Sequence, residues 1–311
     1  LAFVIYNFFV GILQAMGDSR HPLYFLIISS LTNIALDLLF VGGLGLGVWA
    51  AAFAPILAQF LSAFLCLVQL MKGNEVFRLR LRDVRGDWGM LWQIVVNGVP
   101  AGVQNSIISV ANVFVQSNIN AFGATAVAGC GSYSKIEGFG FLPVTCFALA
   151  LTTFTSQNLG ARKYERAKKG AVIGAVCSLC VAEFIALCIN LFSPWLIGAF
   201  GGGQEAVSYG VAWARTVTWF YFLLAFSHCM AGILRGAGRS VVPMFVMMIC
   251  WCVIRVGYIS VIVRWIPNIR VIFWAYPLTW FLSSVVFLIY FLKSDWIHGL
   301  EKHRGKPVHT A

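Results

Sequence analysis

Along this chain long apolar runs alternate with short polar interruptions, and the runs have the length of membrane-spanning helices. A helix needs about 20 apolar residues to cross the hydrocarbon of a bilayer. Divided at charges and at Gly/Pro clusters, the sequence predicts nine spans: 1–16, 22–41, 48–70, 92–121, 127–157, 170–199, 207–233, 242–263 and 271–292. The runs at 92–121 and 127–157 are long, and each contains Pro with several Gly or Asn, which predicts kinked helices lining a cavity. The longest polar interval, KGNEVFRLRLRDVRGDW (72–88), separates three spans from six. It predicts two lobes of an all-α integral membrane protein: part of one lobe at 1–71, a cytoplasmic linker at 72–91, a six-helix lobe at 92–293 and a tail at 294–311.

Charge in the connections orients these spans. One alternate set is basic: Arg20; Lys72, Arg78, Arg80, Arg82 and Arg85; Arg162, Lys163, Arg166, Lys168 and Lys169; Arg235 and Arg239; and Lys293, Lys302, Arg304 and Lys306. The other set (42–47, 122–127, 200–206 and 264–270) carries only Arg264 and Arg270. Basic loops stay in the cytoplasm, so the first set and the C-terminus are expected there, and the parity agrees with nine spans. Composition supports a lipid-solvated chain: 60% of residues are hydrophobic, 11% are charged, and the mean hydropathy is +0.84. The excess of 22 Lys+Arg over 11 Asp+Glu does not indicate nucleic acid, because the basic residues lie between apolar runs and not along one face. Nine cysteines are scattered through the apolar runs, and Cys177-Ser-Leu-Cys180 reads as a packed, reduced pair on a helix. The first residue, Leu1, opens directly into an apolar segment with no basic stretch before it, so no signal peptide is predicted and the chain is expected to begin in mid-protein.

One phrase is written twice. GILQAMGDSRHPL (11–23) and GILRGAGRSVVPM (232–244) are identical at six of thirteen positions, and each joins a span to the next through a basic turn. GVWAAAFA (47–54) finds a looser echo in IFWAYPLT (272–279). An even number of spans separates the copies, so both face the same way, as in a parallel repeat about an axis normal to the membrane. The simplest completion is six plus six helices, with three missing from the front. In each copy Gly and Ser permit a tight turn and Pro opens the next helix.

Three acids fall well inside predicted spans: Asp37, Glu137 and Glu183. An ionised side chain there costs about 3 kcal/mol or more, so each needs a partner, a proton or a wet cavity. Asn33 precedes Asp37 by one helical turn, so both project from one face. Such a pair suits Na⁺, and the carboxylate alone can carry H⁺; the alternative is a bridge to a neighbouring helix. The second copy has Ile254 and Tyr258 at the equivalent positions with Arg255 beside them. Arg255 is expected either to neutralise Glu137 or Glu183 or to bind backbone carbonyls. Gln104, Asn105, Gln116 and Asn120, with Asn112 and Asn118 nearby, form a polar row that is either a cavity wall or interhelical glue. Lys135 and Glu137 are two apart, on opposite flanks of their helix, and are expected to find partners elsewhere. Glu183 is expected to make a structural hydrogen bond. Trp195 marks one interface, Trp88 and Trp296 the other. An ATP-driven pump or a hydrolase is excluded by the lack of G-x-x-x-x-G-K-[ST], G-x-S-x-G and H-E-x-x-H, and the five histidines are too dispersed for a metal site.

These residues resemble a known family. GILQAMGDSRHP (11–22), LTNIALDLLF (31–40), GVPAGVQNSI (98–107), NAFGATAVAGCGSYSKIEGF (120–139), TTFTSQNLGARKYERAKKG (152–170) and GILRGAGRS (232–240) are similar to stretches of the multidrug and toxic compound extrusion (MATE) transporters, the bacterial branch in particular. The resemblance runs over essentially the whole chain and matches helices four to twelve of twelve. It implies secondary antiport: export of small amphipathic compounds, expected to be cationic, in exchange for H⁺ or Na⁺ by alternating access between two six-helix lobes. It implies no enzyme activity, no cofactor, and a monomer in the bacterial inner membrane. Asn33 and Asp37 match the family's cation site in the N-terminal lobe. Pro55 stands where many relatives have Thr, which tilts the reading towards H⁺. A Lys-x-Glu like Lys135-x-Glu137 lies beside the cavity in the bacterial branch, which makes Glu137 a second proton or substrate contact. The rival reading is a lipid-linked oligosaccharide flippase of the same superfamily, but Lys135, Arg215 and Arg255 are balanced by the three acids. A non-transporting remnant is the third.

Overall fold

A computed structural model describes residues 1–72, 79, 86–201 and 203–297. Among these residues eleven α-helices run in order: α1 Ala2–Ala15, α2 Arg20–Asp37, α3 Val48–Lys72, α4 Trp88–Asn120, α5 Ala124–Gly160, α6 Tyr164–Gly198, α7 Gly203–Val217, α8 Tyr221–Gly236, α9 Val241–Met247, α10 Arg255–Trp265 and α11 Ile269–Lys293. A π-helical stretch, Leu38–Gly43, continues α2, and another, Met248–Ile254, joins α9 to α10. A 3-10 turn, Thr218–Phe220, joins α7 to α8. Among the described residues eight continuous segments are long and apolar enough to cross a membrane, and Ala2–Ala15 is a shorter ninth. The expected spans are therefore found, each running up to several residues past its apolar stretch. The span at 207–233 is two helices, not one. Most of the linker and most of the tail, with Arg78, Arg80, Arg82, Arg85, Lys302, Arg304 and Lys306, lie outside the described residues.

The chain divides into two compact units, Leu1–Asp87 and Trp88–Ala311. In the smaller unit Tyr6, Leu13, Ala63, Cys66 and Leu70 form the core between α1 and α3. The Ser29 hydroxyl donates to the Ala58 carbonyl (2.8 Å) and the Ser62 hydroxyl to the Phe25 carbonyl (3.3 Å), which makes α2 and α3 an antiparallel pair in fixed register. Ala50, Ala54 and Ala58 are fully or nearly fully buried on α3, and their small side chains let the two backbones approach closely. Leu31 and Ile34 on α2 and Leu38 at the start of the π-helical stretch are more than half exposed, as lipid-facing side chains are.

In the larger unit α5 is the central helix, packed on α6, α7 and α8. Glycine decides how near it comes. A Cβ on Gly129 of α5 would run into the Ala206 carbonyl of α7, and one on Gly210 of α7 would meet the Gly129 carbonyl. Further along, Cβ atoms on Gly232 and Gly236 of α8 would strike the α5 carbonyls of Ala148 and Thr152. The Thr152 hydroxyl donates to the Gly232 carbonyl (2.9 Å) at the same contact. With lipid on the outside, burying apolar surface between helices gains little, and close van der Waals packing of this kind holds them together.

The twice-written phrase folds twice in the same way. Gly17 and Gly238 both take positive φ (86° and 76°), a region that only glycine enters without strain. The N–H of Asp18 donates to the Leu13 carbonyl and that of Arg239 to the Leu234 carbonyl, both at 2.9 Å, with Gly17 to Gln14 and Gly238 to Arg235 beside them. This is a Schellman ending, which satisfies carbonyls that the helix leaves free. Pro22 and Pro243 each stand in the first turn of the following helix, where no hydrogen bond is lost. After the turn the copies diverge. Asp18 accepts from the backbone N–H (3.2 Å) and ring (2.6 Å) of His21; although partial burial opposes ionisation, these hydrogen bonds hold its carboxyl below the usual value. Arg239 reaches instead to the Tyr290 hydroxyl (2.9 Å) and the Asp295 carbonyl (2.6 Å) at the end of α11.

Two expectations need correction. Cys177 and Cys180 are free but exposed, not packed, because α6 turns that face outward. Trp296 is buried against Phe291 (4.8 Å between ring centres), whereas Trp88 and Trp195 are exposed as belt residues are.

Gly129→Ala and Gly232→Ala should each lower the thermal stability of the detergent-solubilised protein, by about 1–3 kcal/mol of overpacking. Gly131→Ala, where a Cβ has open space, should not. Equal melting curves for all three would refute the packing account.

Candidate functional site

Within the larger unit a cavity of ≈ 540 Å³ opens among α4, α5, α7, α8, α10, α11 and the π-helical stretch before α10. Asn105, Asn112 and Gln116 reach it from α4; their spacings of seven and four place them on one stripe. Ser134, Glu137, Phe141 and Thr145 line it from α5 with the same helical periodicity. Opposite stand His228 of α8, Trp251, Arg255 of α10, and Tyr276 and Trp280 of α11. The polar row of the sequence is thus split: part of it is cavity wall.

Arg255 is the first residue of α10, directly after the π-helical stretch, and only 2% exposed. Its Nη2 donates to the Thr279 hydroxyl at 2.9 Å. The guanidinium carbon lies 4.3 Å from the ring centre of Tyr276 and 5.6 Å from that of Trp251, so two π faces stabilise the cation. Trp251 is held in turn by its Nε1–H on the Ser283 hydroxyl (3.0 Å). Among the described residues Arg255 Nε is buried with no hydrogen-bond partner, and so is His228 Nε2. The His228 ring packs edge-on against Trp251 at 5.5 Å and Phe141 at 5.1 Å. Glu137 lines the same cavity, within electrostatic range of Arg255, but no ion pair joins them. Of the arrangements expected for Arg255, a charge interaction with Glu137 is present without a direct ion pair; among the described residues its direct contacts are a hydroxyl and two rings.

The remaining candidates lie elsewhere. Gln104 donates to the Met247 sulfur (2.7 Å) and ties α4 to α9. Asn120 accepts from Gln116 (2.9 Å) one turn away. The Lys135 ammonium is exposed and 5.3 Å from the centre of the Phe200 ring. Glu183 accepts the backbone N–H of Phe222 (2.8 Å), a donor freed by the break between α7 and α8. In the smaller unit Asn33 and Asp37 lie one turn apart on α2, and the π-helical stretch follows Asp37 immediately. The α2–α3 register places Asn33 level with Ala54 and Asp37 level with Ala50, neither of which offers a side-chain partner. Asn33 Nδ2 and Asp37 Oδ1 are buried and unpaired among the described residues.

The model of the MatE family matches residues 100–259, just over half of the 311-residue chain. The chain belongs to the MATE family. Its relatives include the probable multidrug resistance protein YpnP of Bacillus subtilis, 25% identical over 94% of this chain and 65% of its own length. The probable multidrug resistance protein NorM of Thermotoga maritima is 26% identical over 95% and 65%. This MATE chain therefore spans slightly less than two thirds of the length of those relatives. A crystal structure of MATE in complex with MaL6 superimposes with a TM-score of 0.87 at 24% identity, covering 96% of this chain and 67% of that one. The likeness shows the fold: an all-helical, multi-pass membrane protein. These relatives are named as transporters or resistance proteins, not as enzymes.

The aromatic half of the site escapes the sequence analysis, although the signals exist. Trp251 precedes Arg255 by four residues and Tyr276 precedes Trp280 by four, spacings that put each pair on one side of a helical turn. His228, inside the predicted span 207–233, is a further cavity residue.

Thr279→Val should destabilise this MATE chain by about 1–3 kcal/mol, because a buried charged donor loses its acceptor. Thr279→Ser should stay near wild type. The unfolding midpoint in detergent decides, and an unchanged midpoint for the Val variant would mean that the π contacts alone hold Arg255.

Proposed function

We propose that this chain is part of a cation-coupled exporter of amphipathic compounds bearing a cationic group. The observation that carries the reading is a drug-sized cavity whose wall combines apolar rings with a few charged and amide groups, in a chain of the MATE family. Cavities of about 300–1,000 Å³ suit such compounds, and sparse polar groups orient them. Glu137 would meet the cationic group; Asn105, Asn112 and Gln116 would bind polar atoms of the compound.

Coupling is assigned to Asp37 with Asn33. A half-buried carboxylate with one buried oxygen unpaired among the described residues, one turn from an amide nitrogen in the same state, is costly in a membrane unless it takes a proton or a cation. Proton coupling is favoured over Na⁺, since Pro55 offers no side-chain oxygen one residue beyond Ala54. The basic connections and the C-terminus are placed in the cytoplasm of a bacterial cell, the protein in its inner membrane as a monomer without a cofactor. The names of the relatives favour multidrug export over an oligosaccharide flippase.

Inside-out vesicles containing the full-length protein test the reading. An imposed proton gradient should drive accumulation of a cationic dye, and Asp37→Asn should reduce it to background; a Na⁺ gradient alone should have little effect. Unaltered accumulation by Asp37→Asn would end the coupling assignment, and accumulation driven only by Na⁺ would reverse the choice of ion.

A further inference from the structure

Arg215 sits where packing offers its charge nothing. It lies on α7 about 18 Å of helix rise beyond Gly203, inside a membrane-spanning segment, and its side chain is exposed. Among the described residues no acid pairs with it, and none pairs with Arg270 at the start of α11. Both arginines line one cavity of ≈ 680 Å³ in the larger unit, which shares no lining residue with the cavity around Arg255. Ser208, Ala212 and Arg215 of α7 follow one another at helical spacing, with Trp219 on the next turn, and Arg270 and Trp274 are one turn apart on α11. The cavity is therefore a groove along two helices, carrying two guanidinium groups and two exposed indoles, Trp219 at 59% and Trp274 at 49%. Glu205, the one acid of α7, does not line it.

We propose that this groove holds an anionic phospholipid, its phosphate between Arg215 and Arg270 and its acyl chains along Trp219 and Trp274. Two like charges that share a groove repel each other, one of them within a membrane span, and a phosphate offsets both costs. Guanidinium forks match phosphate oxygens in charge and in geometry. Arg215 starts deeper than Arg270, and its long apolar stem lets its head rise toward the headgroup layer. A soluble anion would use the arginines alone. The exposed indoles call for a ligand that also carries an apolar tail, since tryptophan favours the level of the headgroups. A zwitterionic phospholipid brings its own cation into a groove that already has two, so the site selects net negative charge. The groove is separate from the cavity assigned to the exported compound, so the inference does not depend on the transport reading.

Native mass spectrometry of the purified full-length protein tests this, with dioleoyl phosphatidylglycerol and dioleoyl phosphatidylcholine titrated in turn. The wild type should bind the phosphatidylglycerol at least about tenfold more tightly, since each arginine near the membrane surface contributes about fivefold. Arg215→Gln and Arg270→Gln should each cut that ratio about fivefold, and the double variant should bind both lipids alike. Arg264→Gln removes an equal charge from the connection that also carries Arg270, but outside the groove, and should keep the wild-type ratio. Equal affinity of the wild type for the two lipids overturns the proposal. A ratio lowered as much by Arg264→Gln overturns it too, because the preference would then be diffuse attraction to a basic surface. Inorganic phosphate at millimolar concentration should leave the lipid in place; displacement would make the groove a site for free phosphate and end the lipid assignment. Both arginines are exposed, so their variants should melt as the wild type does. If one does not fold, the wild-type ratio and its response to Arg264→Gln still decide.

Discussion

The approach of α5 to α7 and α8 sets the geometry of the larger unit. At Gly129, Gly210, Gly232 and Gly236 backbone meets backbone, with no room for a single added carbon. Helices in hydrocarbon do not gain by hiding apolar surface from lipid tails that are equally apolar, so their cohesion comes from contact at short range. Tight contact along these seams leaves the bulky aromatic side chains to be accommodated elsewhere. Trp213, Trp251 and Trp280 are buried and line the cavity.

Breaks in the helices are the second consequence of life in lipid. Every backbone donor freed inside the membrane has to find an acceptor within the protein. The 3-10 turn at Thr218–Phe220 frees donors at the start of α8, and the Glu183 carboxylate takes the N–H of Phe222. A carboxylate in that position also faces the positive end of the α8 dipole. The two π-helical stretches are placed otherwise: Leu38–Gly43 begins one residue after Asp37, and Met248–Ile254 ends one residue before Arg255. A π turn widens the helix and shifts the side chains beyond it, and such turns are frequent at functional sites. Here each abuts an ionisable residue that is short of partners.

Much of this was readable beforehand, for reasons particular to membranes. Apolar runs such as 170–199 have only one way to satisfy their backbone in lipid, so helix and span follow from hydropathy alone. The paired turns were readable because Gly17 and Gly238 mark a left-handed residue with no substitute of comparable cost. The break inside 207–233 was not read, although Val217-Thr218-Trp219-Phe220-Tyr221 is a run of poor helix formers. The site was legible in its charges and only partly in its amides. Spacing puts Gln104 and Asn105 side by side in the chain, yet one faces Met247 and the other the cavity, a choice made by packing and not by composition. The aromatic wall escaped for the same reason: in a chain that is 15% Phe, Trp and Tyr, position in the fold and not residue type tells a lining ring from a packed one.

The two copies of the repeat share a turn and differ in their chemistry, and the difference is informative. Identical Schellman endings show that the turn geometry needs few residues: a glycine, a serine, a proline. Everything outside that frame is free to diverge. One copy carries an acid and an amide one helical turn apart, Asp37 and Asn33, suited to a small cation that needs oxygen and little space. The other carries a guanidinium flanked by Trp251 and Tyr276, suited to a large ligand that needs a surface. A small ion and an aromatic compound make incompatible demands on one pocket, since the first requires close oxygen ligands and the second an open apolar wall. Duplication of a scaffold resolves the conflict by giving each demand its own copy. On that argument the chemical asymmetry of the repeat is what the proposed function divides between a coupling ion and an amphipathic compound.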